Sequence, residues 1–87
     1  MNRENLYVEP HLTFRERQIL ELVAVGWSAK QIANDIDIAP RTVERHIENV
    51  RMKLNARNRA HLVTQAVHLG LLTIEKPRSD EPLLFDL

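Results

Sequence analysis

Four helix-start signals punctuate this chain, and their spacing leaves room for short helices and little else. Thr13 is followed by Glu16 and Ser28 by Gln31. Each pair is a capping box. The hydroxyl accepts one orphan amide of the first turn, and the longer side chain reaches back to another. Pro40 suits a first helical turn, where its missing N–H would have no partner anyway. Asn58 is a good N-cap. Gly26 and Gly70 supply stops, because glycine readily takes the left-handed conformation that ends a helix. The predicted helices cover about 14–25, 29–36, 40–55 and 59–69, so the fold class is all-α with four helices.

Apolar spacing assigns each helix a buried side. Ile19, Leu22 and Val23 mark the first, and Ile32, Ala33 and Ile36 the second. In the third, Val43, Ile47, Val50 and Leu54 fall within one narrow face. The opposite face carries Arg41, Arg45, Glu48 and Met52. The connection through Asp37, Ile38 and Ala39 is short enough to cross the second and third helices steeply, as in a helix-turn-helix. The fourth helix has two stripes. Leu62, Ala66 and Leu69 form one; Ala60, Val63 and Val67, with Thr64 beside them, form the other. A domain this small buries one stripe against itself. The spare one predicts a partner helix, most simply that of a second copy; the alternative is that the leader and tail partly cover both faces.

A chain of 87 residues holds one domain at most. It divides into a leader, 1–11, a folded segment, 12–72, and an acidic tail, 73–87. There is no cysteine, so no disulfide staple and no thiolate cage. That composition fits a reducing, cytoplasmic setting. No apolar run approaches the length of a membrane span, and Met1–Pro10 show no signal peptide.

The overall charge of zero conceals an uneven distribution. Between residues 40 and 59, Arg41, Arg45, Arg51, Lys53, Arg57 and Arg59 face only Glu44 and Glu48. In the tail, Glu75, Asp80, Glu81 and Asp86 outnumber Lys76 and Arg78. A basic stripe beside an acidic tail points to a polyanionic partner for the middle of the chain. The same stripe could also serve simply as a solvated helix face. Enzyme signatures are missing: no Gly-rich phosphate loop, no HExxH and no nucleophile motif. His61 and His68 share a helix face but lack a third ligand, so neither a metal nor a cofactor is expected. Trp27 is expected as a lid between the first two helices. Leu83-Leu84-Phe85 is a short apolar run that could dock on the domain or on a partner.

The residues Leu12-Thr13-Phe14-Arg15-Glu16, Ile19-Leu20, Gly26, Lys30-Gln31-Ile32-Ala33, Ile38, Thr42-Val43-Glu44-Arg45-His46, Lys53-Leu54 and Asn58-Arg59 resemble the LuxR-type (NarL/FixJ) helix-turn-helix domain over about residues 11–72. The resemblance implies a bacterial transcription regulator that binds duplex DNA as a dimer, with helix 40–55 in the major groove. By position, it implies base reading by Arg41, Glu44, Arg45 and Glu48. Phosphate contacts would come from Ser28, Lys30, Thr42, Lys53 and Arg57. Ala60, Val63, Thr64 and Val67 fall where the family dimerises, in line with the spare stripe. The implied DNA site is an inverted repeat, and RNA polymerase or another regulator is a further implied partner.

Two departures from the family pattern stand out. Glu44 and Glu48 stand where many members have Lys, which weakens nonspecific attraction to phosphates. These glutamates can accept from the cytosine amino group while Arg41 or Arg45 binds guanine. Alternatively they only orient Arg41, Arg45 or Arg51 along the helix. Ala39 stands where a capping Ser is common, at a cost of about 1 kcal/mol. Such regulators usually carry a separate sensor domain, which the short leader cannot form. The expectation is therefore either a stand-alone single-domain regulator, the preferred reading, or a fragment of a larger protein. A rival reading keeps the fold and discards DNA: an interaction module that pairs through helix 59–69 with another regulator and modulates it.

Overall fold

A computed structural model describes residues 11–73. The leader segment 1–10 and residues 74–87, including Leu83-Leu84-Phe85, lie outside the described residues. Four helices appear in order: α1 (Phe14–Ala24), α2 (Ala29–Ile36), α3 (Pro40–Lys53) and α4 (Arg59–His68). Among the described residues there is no strand.

Both capping boxes form. The Thr13 hydroxyl accepts from the Glu16 amide at 3.0 Å, and the Thr13 amide donates to Glu16 Oε1 at 2.9 Å. Ser28 and Gln31 repeat the exchange at 3.1 and 2.8 Å. Asn58 caps α4 by accepting from the His61 amide at 2.9 Å. Ala39 occupies the α3 N-cap with no side-chain bond, and Pro40 opens the helix.

The helix ends share one device. Gly26, Asp37, Asn55 and Gly70 all have left-handed φ. After each, the next amide folds back to a carbonyl five residues earlier: Trp27 to Leu22, Ile38 to Ala33, Ala56 to Arg51 and Leu71 to Ala66. This is the Schellman closure, which satisfies carbonyls the helix leaves open. It also shortens α3 relative to the sequence expectation. The helix ends at Lys53, Leu54 is the C-cap, and Asn55 turns left-handed at φ 54°. Asparagine tolerates that conformation where most residues do not. α1 and α4 each end one residue earlier than expected, because Val25 and Leu69 serve as caps.

The third helix packs against α1 and α2, and α4 packs against α1 and α3. Ile19, Leu20, Val23, Ile32, Ala33, Val43, Ile47, Val50, Leu54, Ala56, Leu62 and Ala66 form one buried cluster. Leu20 and Ala56 joined it without having been expected. Leu22, Ile36, Leu69 and Trp27 pack half-buried around its edge. The α3 face of Val43, Ile47, Val50 and Leu54 is buried as its spacing predicts.

One charged group is in the core. Glu16 is only 4% exposed, and its Oε1 accepts from Lys53 Nζ at 2.7 Å as well as from the Thr13 amide. Burial pushes the Glu16 carboxyl up. The Lys53 and Thr13 hydrogen bonds outweigh burial and hold it below its ordinary value. This carboxylate therefore caps α1 and also ties α1 to the end of α3.

Candidate nucleic-acid interface

The buried stripe of α3 fixes what the helix shows to solvent. Arg41, Glu44, Arg45 and Glu48 are all exposed on the opposite side, with Met52 continuing the row. Fourteen residues make a rod about 21 Å long. Its positive groups cluster toward the N-terminal half of the exposed front. Thr42 sits half-buried on the flank, at the first turn.

The two glutamates have different surroundings. Glu48 makes a two-pronged pair with Arg51: Nε to Oε1 at 2.9 Å and Nη2 to Oε2 at 2.6 Å. The Arg51 Nη1 also donates to the Ala56 carbonyl at 2.7 Å. Hydrogen bonding by Arg51 holds the Glu48 carboxyl below its usual value and raises the Arg51 guanidinium in turn. Glu44 is 63% exposed and reaches only the margin of ion pairing, 4.0 Å from Arg59 Nη1. Of the two alternatives for these residues, helix-surface pairing describes Glu48, whereas Glu44 projects with its carboxylate largely uncommitted.

The expected backbone-contacting residues flank this front. Ser28 and Lys30 are exposed at the start of α2, although the Ser28 hydroxyl already caps that helix. Arg57 is exposed in the α3–α4 turn, where its amide donates to His61 Nδ1 at 3.0 Å. The Lys53 side chain is 37% exposed, and its ammonium donates to Glu16 and to the His11 carbonyl. An ammonium has three donors, so one stays open to solvent.

Several residues that position this face were not picked out from the sequence. Arg59 donates to the Trp27 carbonyl at 2.8 Å, bracing α4 against the α1–α2 turn beside Glu44. Gln65 donates to the Leu54 carbonyl at 3.1 Å, and Arg17 to the Leu71 carbonyl at 3.2 Å. In each case a long side chain on one helix satisfies a turn carbonyl after another. Such residues sit on polar faces, so hydrophobic periodicity gives no sign of them.

On α4 the two stripes separate as read. Leu62 and Ala66 are buried. Ala60 and Thr64 are exposed, and Val63 and Val67 are half-covered. Among the described residues, no helix is long and apolar enough to cross a membrane.

A short turn between α2 and α3, a buried back and an arginine- and glutamate-bearing front on α3, and a supporting fourth helix define a tetrahelical helix-turn-helix domain. Comparison with known proteins identifies which one. Residues 10–66 match the profile described as "GerE: Bacterial regulatory proteins, luxR family". The chain is 50% identical over 59 residues to the transcriptional regulatory protein FixJ of Rhizobium meliloti, covering 68% of this chain and 29% of that protein. It is 32% identical over 74 residues to the spore germination protein GerE of Bacillus subtilis, covering 85% of this chain and 100% of that protein. A solved structure titled "Structure of Transcription factor, GerE" superimposes with a TM-score of 0.67 at 35% identity, covering 71% of this chain and 92% of that one. The chain belongs to the luxR family of bacterial regulatory proteins. Its relatives are regulators and not enzymes. It spans all of GerE but under a third of FixJ.

Proposed function

We propose that this chain binds double-stranded DNA sequence-specifically as a homodimer and regulates transcription in the bacterial cytoplasm, at the nucleoid. The observation that carries the reading is the front of α3. Two arginines and a largely uncommitted glutamate stand exposed on a helix whose opposite face is wholly buried. A major groove admits one α-helix and presents guanine acceptors and cytosine donors along its floor. In this reading Arg41 and Arg45 donate to guanine N7 and O6, and Glu44 accepts from a cytosine amino group. Glu48 joins them only by exchanging Arg51 for a base.

Ser28, Lys30, Thr42, Lys53 and Arg57 contact phosphates and set the register, while the front of α3 sets sequence. Lys53 uses its third donor, because Glu16 and His11 occupy the other two. Ala60, Val63, Thr64 and Val67 pair across a two-fold axis with the same stripe of a second copy. Two α3 helices then enter successive major grooves, and the site is an inverted repeat. RNA polymerase or another regulator is the further partner in this scheme.

The rival reading, a DNA-poor module that modulates another regulator through α4, draws on the Glu48–Arg51 lock, which removes one charge of each sign from DNA contact. One experiment separates the two readings. Random duplexes are selected on the purified protein, and the recovered site is titrated by fluorescence anisotropy beside a scrambled duplex. The DNA reading expects an inverted repeat with G·C pairs and salt-sensitive, saturable binding. In Arg45→Ala the preference for the selected site over the scrambled one should fall by about 5- to 150-fold, because a good bidentate base contact is worth about 1–3 kcal/mol. Equal losses on both duplexes would refute base reading by Arg45. No enrichment at all, with pairing to a second regulator, would favour the module.

A further inference from the structure

The flank of α4 that faces α1 carries a groove of about 540 Å³, with Val25, Val63, Val67, Leu71 and Leu72 in its wall and Glu21 and Thr73 as its polar members. Its lining is mainly apolar, and Val25 stands 68% exposed beside it. Uncovered apolar surface of this kind is unfavourable in water. We propose that Leu83-Leu84-Phe85 of the same chain packs into this groove.

Three observations select this occupant. The described chain ends at Thr73, which is itself part of the groove wall. The segment that follows is polar and twice interrupted by proline, with Leu83-Leu84-Phe85 its one run of consecutive apolar residues. Residues 74–82 separate that run from Thr73, and nine residues reach at most about 30 Å, ample for a return along one flank of the domain. The wall also carries Glu21, so charge favours the segment only beside Arg17. Arg17 lies at the groove's end, donating to the Leu71 carbonyl, and has no carboxylate partner among the described residues. The incoming segment brings Asp86 immediately after Phe85. Tethering also favours this occupant over a separate molecule, since a short linker gives an effective concentration in the millimolar range.

Docking has a consequence for assembly, which rests on the dimer reading above. Val63 and Val67 wall this groove, and they also line the shallower surface with Thr64 and His68 on the outer side of α4. A segment seated over these valines competes with a second copy. The tail therefore acts as a brake on α4 pairing.

The test uses the full chain and its Leu84→Asp/Phe85→Asp double variant, which leaves every described residue intact. In isotope-labelled protein, the substitutions should move the backbone amide resonances of Ala24, Val25, Val67, Leu71 and Leu72. Changes confined to residues 74–87 would overturn the docking. Sedimentation across a concentration series reads the brake. If the segment occupies the groove nine-tenths of the time in each protomer, freeing both should tighten dimerisation by about a hundredfold. Unchanged or weakened dimerisation in the variant would overturn the brake. If neither protein associates at any concentration while the groove resonances move, docking stands and the dimer reading fails instead.

Discussion

Replacing Glu16 with Gln tests whether one buried carboxylate serves both the fold and the helix proposed to read DNA. Gln retains an oxygen that can accept from the Thr13 amide, so the capping box survives. The variant loses the charge opposite Lys53 Nζ at 2.7 Å. A hydrogen bond to a charged group contributes roughly 1.5–3 kcal/mol. Lys53 is 37% exposed and can recover part of that from water, so the expected loss is about 1–2 kcal/mol. In a domain of this size that lowers the thermal midpoint by roughly 5–15 °C.

The pH dependence gives the sharper check. Glu16 has a lowered native pKa. Its contribution is therefore fully present above the unfolded-state value and is lost as pH falls through the native one. Wild type and variant, followed by circular dichroism in urea, should differ at pH 7 and converge as acid protonates Glu16. DNA should show the opposite effect. Without its carboxylate partner, Lys53 should bind any duplex more tightly, and the salt dependence should steepen by up to about one counterion. A gap in stability that persists unchanged into acid, or DNA affinity that falls with stability, would refute this account of the pair.

Substitutions at three further positions test the frame. Ala39→Ser supplies the side-chain cap that α3 lacks and should stabilise the domain by about 1 kcal/mol, read as a raised urea midpoint at constant slope. Asp37→Gly relieves a left-handed residue at φ 57° and should be neutral or stabilising by up to about 1 kcal/mol, whereas Asp37→Val should destabilise by at least that much in the same assay. Leu62→Ala removes a side chain that is 1% exposed between α4 and the rest of the core, and should cost about 2–5 kcal/mol in chemical denaturation.

Legibility in the sequence followed the range of each interaction. Both capping boxes, the Asn58 cap and the bare Ala39 cap depend on residues within one turn, and the spacing of Thr13, Glu16, Ser28 and Gln31 was enough to read them. The α3 core face was legible for the same reason, since Val43, Ile47, Val50 and Leu54 share one angle on the helix. The end of α3 was placed two residues late because Leu54 continues the apolar spacing while serving as the cap. Only the positive φ of Asn55 shows where the helix ends. Glu16 was legible as a cap but not as a buried ion-pair partner, since Lys53 lies 37 residues away in the chain. The roles of Arg17, Arg59 and Gln65 were hidden similarly. Each reaches a carbonyl in a distant turn, and nothing local marks it.

The four helix ends explain how so small a core presents a firm outer face. Each left-handed turn returns its next residue to the domain: Trp27, Ile38, Ala56 and Leu71 all donate back into the helix they follow. Those residues are buried or half-buried against the core, so closing a helix and adding to the core are one step. Carbonyls left open by the turns are then taken by Arg17, Arg51, Arg59 and Gln65. Three of these four are arginines; Arg51 is also paired with Glu48, whereas Arg17 and Arg59 stay exposed with part of their donor set engaged. Arg41 and Arg45 make no such contact among the described residues, and they stand on a helix whose opposite face is buried from Val43 to Val50. Counting basic residues between 40 and 59 therefore overstates the charge available to a partner. The distinction between bracing arginines and free ones, read from their hydrogen bonds, leaves Arg41 and Arg45 on the front of α3, with Arg57 in the turn that follows.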